Sequence, residues 1–249
     1  MLLSRPRFFG NTGPMTDDPA RHLTVPRLAG IAGLVHGFGD AGWSEADFLV
    51  FAAARGLEPV IMRQLHSDTV HRLDEAPAGK LEGDGLMTDV PGLLLVIRTA
   101  DCLPVFLVDA KNRAAAAVHC GWRGTEKRIL EKTAEAMGRA YGSEPRAMLA
   151  ALGPCIGSAC YEVGPEVRES FLRAGFPPAV LAEAPVRPGK SLLDLRAANI
   201  WLLDGLGFKK DNILDFGSAC THCEPHLLSY RRNPGDSRRM YNFIGFTPR

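Results

Sequence analysis

A thiol and two imidazoles stand at the ends of apolar runs in this chain. In the stretch DCLPVFLVDAKNRAAAAVHCGWRGT, residues 101–125, Cys102 precedes the run Leu103 to Val108, and His119 follows the run Arg113 to Val118. Arg-Gln-Leu-His-Ser at 63–67 supplies a second imidazole, His66. Thiolate and imidazole are both good zinc donors, and a Cys-His-His set leaves a fourth tetrahedral position for water or substrate. Such an open site polarises a substrate oxygen or lowers the pKa of a bound water. The same residue types also allow a bland arrangement in which Cys102 is an inert buried thiol. On chemistry alone His71 competes equally with His66, and no short His-x-x-His signature binds the three donors together.

Gly-Trp-Arg-Gly-Thr at 121–125 follows His119 directly and is expected to open a helix. Free backbone N–H groups and a helix dipole attract an anion there, and the Arg123 guanidinium adds a bidentate fork suited to phosphate. The alternative is a tight turn with Arg123 paired to a surface carboxylate. Asp101 adjoins the thiol and is expected either to orient His66 or His119 from behind or to cap a strand end. Cys102, Asp101 and Arg123 are therefore the catalytic candidates. Arg231, Arg232, Arg238 and Arg239 form a basic cluster that reads first as solvated surface and second as a phosphate contact. Cys220 and Cys223 make a Cys-x-x-Cys pair, which with Cys155 and Cys160 could build a four-thiolate zinc site; buried or surface thiols are the simpler fate.

Elements to position these groups follow from the pattern. Residues 1–24 are rich in Pro, Arg and Asp and read as an irregular lead-in, with a single catalytic domain over 25–249. Gly33 to Phe38, Pro59 to Gln64 and Thr69 to Leu73 read as strands. Leu93 to Ile97, Leu103 to Val108, Arg113 to Val118 and Ala147 to Leu152 are apolar runs bounded by turn residues, the pattern of buried central strands. Ile213 to Phe216 and Asn242 to Phe246 are further strands. Gly83 to Asp89 reads as a loop from its glycine and aspartate content. Ser44 caps a helix ending at Gly56, Glu126 to Tyr141 is an amphipathic helix, Pro165 starts one that ends before Gly175, and Asp194 caps another. Strands and helices mix without strict alternation, which implies an α/β chain of α+β-like layers.

Composition narrows the partners. The chain has 249 residues, with 29 Lys plus Arg against 28 Asp plus Glu, so no global field attracts nucleic acid or an anionic membrane. A small-molecule partner is expected. The N-terminal residues lack a continuous apolar segment of signal-peptide type, and the longest apolar run is too short to cross a bilayer. Six cysteines in a chain able to build its own core are expected to remain thiols in a cytoplasmic protein.

Five motifs together resemble the YfiH/YlmD family: Arg-Gln-Leu-His-Ser at 63–67, Thr-Ala-Asp-Cys-Leu-Pro at 99–104, Val-His-Cys-Gly-Trp-Arg-Gly-Thr at 118–125, Gly-Pro-Cys-Ile-Gly-Ser-Ala-Cys-Tyr-Glu-Val-Gly at 153–164, and Ser-Tyr-Arg-Arg at 229–232. The resemblance runs in order from His36 to Arg239. It implies a layered sandwich of mixed β-sheets with flanking helices, and zinc held by His66, Cys102 and His119, which favours His66 over His71. It implies a purine nucleoside phosphorylase that uses phosphate and acts on adenosine and inosine, with S-methyl-5'-thioadenosine as a further substrate, and an adenosine deaminase activity. Copper is implied only by the family's older polyphenol oxidase (laccase-like) description. The chain departs from the family at Arg238, where a glycine usually precedes Arg-Met.

Two other enzyme classes compete with that reading. Cys102, His119 and a carboxylate form a possible Cys-His amidase or peptidase for a cell-wall dipeptide precursor, a reaction to which family members have been linked. A thiolate locked to zinc is a poor nucleophile, so metal content separates the two. A copper polyphenol oxidase is disfavoured, because multicopper sites use many histidines, often in His-x-His pairs. This chain has seven His and no such pair.

Overall fold

The computed structural model describes residues 22–184, 187–217 and 219–248. Its strands are β1 (His22–Leu23), β2 (Leu34–Gly39), β3 (Glu58–Ile61), β4 (Val70–Leu73), β5 (Gly85–Thr88), β6 (Leu93–Thr99), β7 (Leu103–Asp109), β8 (Ala114–Cys120), β9 (Leu149–Leu152), β10 (Glu162–Val163), β11 (Leu181–Glu183), β12 (Ser191–Leu193), β13 (Ile213–Asp215) and β14 (Met240–Phe246). Its helices are α1 (Pro26–Ala29), α2 (Glu45–Ala53), α3 (Trp122–Glu126), α4 (Ile129–Tyr141), α5 (Pro165–Arg173) and α6 (Leu195–Gly205).

A five-stranded sheet runs β1-β2-β14-β6-β3 and a six-stranded sheet runs β13-β9-β7-β8-β5-β4, with a small β10-β12-β11 sheet beside them. Both large sheets mix parallel and antiparallel neighbours. The two-residue period of a strand explains the layering. Along β6, Leu93, Leu95 and Ile97 point between the sheets, where they meet Phe106 and Val108 of β7 and Ala115 and Ala117 of β8. Leu94 and Val96 point the other way, onto Phe48 and Ala52 of α2. On the far face of the six-stranded sheet, Leu103, Val105, Leu107, Ala116 and Val118 meet the apolar faces of α4, α5 and α6. The result is a helix–sheet–sheet–helix sandwich. Phe38 stacks on Phe106 across its centre, with centroids 4.4 Å apart and planes 7° from parallel.

The expected helix ends are found. Ser44 Oγ accepts from the Asp47 N–H, Asp194 accepts from the Ala197 N–H, and Gly56 and Gly175 take the left-handed backbone just beyond α2 and α5. Three expectations are corrected. Residues 83–89 are not a loop: β5 occupies Gly85–Thr88 and pairs with both β4 and β8, because Leu86 and Met87 are buried on opposite faces of the sheet. The helix expected over 126–141 is broken. Arg128 takes φ 62° between α3 and α4, and its guanidinium bonds the Glu131 carboxylate at 2.9 Å and the Ala174 carbonyl at 2.7 Å. Tertiary partners thus hold a turn that local helix propensity would smooth over. Within the expected lead-in, His22–Leu23 pairs with Gly39 and Phe38; residues 1–21 lie outside the described residues. Among the described residues, no helix is long and apolar enough to cross a membrane.

Candidate metal centre

Strand register alone brings Cys102 and His119 together. In the β7–β8 ladder Leu103 pairs with Cys120 and Pro104 with His119. Cys102 is two residues from Pro104, so it lies diagonally from His119 on the same face of the sheet. The next ladder adds a third group: Gly85 pairs with Val118, which sets Asp84 opposite His119, and the His119 N–H donates to the Asp84 carbonyl at 2.7 Å. His66 arrives from the turn between β3 and β4. The donor atoms of His66, Cys102 and His119 all lie within 4.8 Å of one another.

This geometry fits a metal. His66 Nε2 lies 3.9 Å from Cys102 Sγ, close to the roughly 3.6 Å that a tetrahedral ion with Zn–S of about 2.3 Å and Zn–N of about 2.0 Å imposes. His119 Nδ1 is 2.8 Å from Asp84 Oδ1. A carboxylate only accepts, so Nδ1 carries the proton and Nε2 is the nitrogen available to a metal. Gly121 closes the cradle: a Cβ there would meet His66 Cδ2 at 3.0 Å and Cys102 Sγ at 3.1 Å. His71, the competing imidazole, is turned away and bonds the Glu82 carbonyl at 2.8 Å.

Asp84 is the group that the sequence reading missed. It is fully buried, and its carboxylate also accepts the N–H groups of Leu65, His66 and Ser67 and the Ser67 hydroxyl. Those bonds pin His66 at φ 56°, a left-handed backbone that a non-glycine residue adopts only when its surroundings impose it. Burial pushes the Asp84 carboxyl up, but the bonds from His119 and Ser67 outweigh it and bring it down to about 2. An aspartate between two glycines ahead of a buried strand was the available signal; the Gly-Asp composition concealed it as a loop.

Of the two roles expected for Asp101, its contacts are those of the strand end, with no bond to His66 or His119. Its carboxylate accepts from Thr221 Oγ1 and from the Arg231 N–H, both at 2.6 Å, and its carbonyl accepts from the Ile156 N–H at 2.9 Å. It ties the loops around 156, 221 and 231 to the strand end that carries Cys102, while Asp84 makes the bond to His119. Asp101 sits at φ 94°, so the residue before the thiol is as constrained as His66.

The electrostatics separate neighbouring thiols. Burial raises Cys102, and the charge and hydrogen bonds of His119 and His66 more than reverse this, bringing it to about 6. Burial lowers His119, but the Cys102 thiolate and Asp84 raise it to about 9. Cys120, one residue on and facing the core, is pushed well above the usual thiol range by burial. Of these two neighbouring thiols, Cys102 is the one primed as a thiolate.

The surroundings rearrange the other candidates. Arg123 is exposed, with its guanidinium 4.3 Å above the Trp122 ring, and no carboxylate pairs with it among the described residues. Because α3 has only five residues, it contributes a weaker dipole than the continuous helix expected from sequence. Arg232 is exposed, as expected of a surface arginine, but its guanidinium also clamps the carbonyls of Thr221, His222, Glu224 and Leu227. Arg231 bonds the Glu162 carbonyl at 3.1 Å and lies 5.4 Å from the Tyr161 ring. Arg238 pairs with Asp236 at 2.7 Å and has no positive φ, so the missing glycine leaves the turn unstrained.

Residues 45–247 match the family model described as multi-copper polyphenol oxidoreductase laccase. The chain belongs to this family, the YfiH family. The purine nucleoside phosphorylase of Deinococcus radiodurans is 40% identical over 76% of this chain and 70% of its own length. Adenosine deaminase RL5, from an unknown prokaryotic organism, is 38% identical over 74% of each chain. Among solved structures, YlmD from Geobacillus stearothermophilus superposes with a TM-score of 0.79 at 28% identity, covering 88% of this chain and 93% of that one. The sandwich described above is thus the fold of this family, and its curated relatives carry the names of enzymes acting on purine nucleosides.

Proposed function

We propose that the protein is a zinc-dependent purine nucleoside phosphorylase acting on adenosine and inosine, with S-methyl-5'-thioadenosine as a further substrate and slower deamination of adenosine at the same site. The observation that carries the reading is the three-donor cluster of His66, Cys102 and His119, with its thiol already drawn toward thiolate. The names of the similar proteins, the Deinococcus radiodurans purine nucleoside phosphorylase and adenosine deaminase RL5, supply the substrate class. Zinc held by His66, Cys102 and His119 would supply a Lewis acid there.

The chain's own residues carry the remaining work. Phosphorolysis needs a phosphate oxygen to form a bond to C1′ as the C1′–N9 bond breaks and the base leaves with a proton. The sugar becomes cation-like on the way, so an anion held beside it is stabilising. Arg123 can hold that anion, because its fork faces solvent without a carboxylate partner among the described residues while stacking on Trp122 fixes its position. Tyr161 lies in the field of Cys102, Asp101, Arg123 and Arg231, with its ring packed on the core beneath the Arg231 guanidinium. Asp84 and Asp101 act as positioning residues, one on His119 and the 65–67 turn, the other on the strand end at Cys102. Residues 25–249 work as one catalytic unit, and a cytoplasmic location suits the six free thiols.

Incubation of adenosine with the purified protein tests this. Adenine and ribose 1-phosphate should form only when phosphate is added, with inosine appearing more slowly in its absence. Cys102→Ala should lose both the metal of this site and the activity, whereas His71→Ala should keep both. Base release that proceeds equally without phosphate would identify a nucleoside hydrolase and reject the proposal. Turnover by metal-free protein on a peptide would point instead to Cys102 as a nucleophile, and oxygen consumption with a phenol would point to the oxidase.

A further inference from the structure

The loops at 155–161 and 220–224 gather a second set of metal donors. Cys160 closes a 3-10 turn, Ser158–Cys160, and its Sγ lies 3.5 Å from Cys223 Sγ. A ring nitrogen of His222 joins them, and all three donor atoms lie within 4.8 Å of one another. Two thiolates on one tetrahedral zinc stand about 3.8 Å apart for Zn–S of about 2.3 Å, so these side chains already sit near a chelating separation.

Cys220 adds a third sulfur at the edge of this cluster, outside the set of donor atoms that lie within 4.8 Å of one another. Its Sγ accepts the Gly157 N–H at 3.1 Å, is also approached by the N–H groups of His222 and Cys223, and adjoins the side chains of Cys160 and Cys223. The turn that aims those groups is closed by Cys223 and Glu224 N–H donating to the Cys220 carbonyl at 3.1 and 2.9 Å. Cys155, the fourth cysteine of the four-thiolate set considered from sequence, is excluded: it is buried, and its sulfur faces the Arg196 guanidinium at 3.6 Å.

We propose that Cys160, Cys220, Cys223 and His222 form a second metal centre, distinct from the His66–Cys102–His119 cluster, that takes a thiophilic divalent cation of the zinc type. With Cys220 drawn in from the edge of the cluster, three sulfurs and one imidazole would fill a tetrahedral shell and leave no open position, the pattern of a structural centre. It cross-links two loops that already meet at the Cys155–Cys220 β-bridge and the Gly157–Cys220 hydrogen bond. It also steadies Thr221, whose hydroxyl holds Asp101 beside the first centre.

Native mass spectrometry of the full chain, purified with reductant and equilibrated with zinc, distinguishes the two centres. Wild type should carry two zinc ions, Cys102→Ala one, and the Cys160→Ser/Cys223→Ser double variant one. Retention of the first-centre ion by the double variant reports that it has folded. Cobalt added to Cys102→Ala should give thiolate-to-metal charge transfer in the near ultraviolet with tetrahedral visible bands, and His222→Ala in that background should weaken both. A wild-type content of one ion that disappears with Cys102→Ala overturns the proposal. So does a second ion that survives Cys160→Ser/Cys223→Ser, or a Cys160–Cys223 disulfide that persists in excess reductant in place of the ion.

Discussion

Replacing Asp84 with asparagine separates orientation of a ligand from its identity. Oδ1 of Asp84 accepts from the His66 N–H at 3.0 Å and from His119 Nδ1 at 2.8 Å, and Oδ2 accepts from the N–H groups of Leu65 at 3.2 Å and Ser67 at 2.6 Å and from the Ser67 hydroxyl at 2.6 Å. An amide keeps one accepting oxygen and turns the other into a donor. If the NH₂ replaced Oδ2, it would confront two backbone N–H groups that have no alternative, so the oxygen stays on that side. The NH₂ then faces His119 Nδ1, which relieves the clash by accepting and moving its proton to Nε2. That proton occupies the metal-binding lone pair. Loss of such an orienting partner costs about 10- to 100-fold in metal affinity, and the enforced tautomer places Asp84→Asn near the upper end, about 2.7 kcal/mol. The His66 N–H is left unpaired at a left-handed residue, which adds about 1–3 kcal/mol of lost folding stability. Competition of the protein with a chromophoric chelator for zinc reads the first quantity, and urea unfolding of the metal-free protein reads the second. Asp109→Asn is the control, because its carboxylate bonds Lys111 and Asn112 at the far end of β7. Zinc affinity of Asp84→Asn within threefold of wild type would refute the reasoning, as would an equal loss in Asp109→Asn.

Other outcomes follow from single contacts. Arg123→Lys keeps the charge but not the planar fork, so KM for phosphate should rise about tenfold or more with metal content unchanged; an unaltered phosphate dependence would return Arg123 to a surface role. Gly121→Ala sets a methyl 3.0–3.1 Å from His66 and Cys102, and pushing either off its rotamer costs about 0.5–1.5 kcal/mol. Zinc binding should therefore weaken by up to about tenfold while the unfolding midpoint of the metal-free protein stays in place. His36 is buried and accepts the Val25 N–H at 2.8 Å. Burial and the nearby His22 hold it down at about 4, against 6.5 in the unfolded chain. Between those values the unfolded state binds more protons, so stability should fall with pH below about 6.5, by about 2 kcal/mol near pH 5, and level off below about 4. Urea midpoints across that range, with His36→Gln showing a shallower slope, check the assignment.

What the sequence determined by itself is whatever depends on local pattern or on donor chemistry. The apolar runs at 93–97, 103–108 and 113–118 became central strands because a segment apolar on both faces is stable only between two layers. The caps at Ser44 and Asp194 were legible because capping involves residues three positions apart. The Cys-His-His donor set was legible from its chemistry and motifs. Tertiary structure decided what depends on partners distant in the chain. The β7–β8 register, not spacing, sets Cys102 diagonal to His119, and the β5–β8 ladder, invisible while 83–89 looked like a loop, delivers Asp84 to His119 in place of Asp101. Arg128 breaks the helix after Glu126 through bonds to Ala174, 46 residues away, and thereby reduces the dipole that sequence assigned to the phosphate turn. The cysteines divide in the same way. Their number is a property of the chain, but only the packing of two loops sends Cys155 into the core and gathers Cys160, Cys220 and Cys223 around His222, because loop closure brings together side chains that no local rule relates.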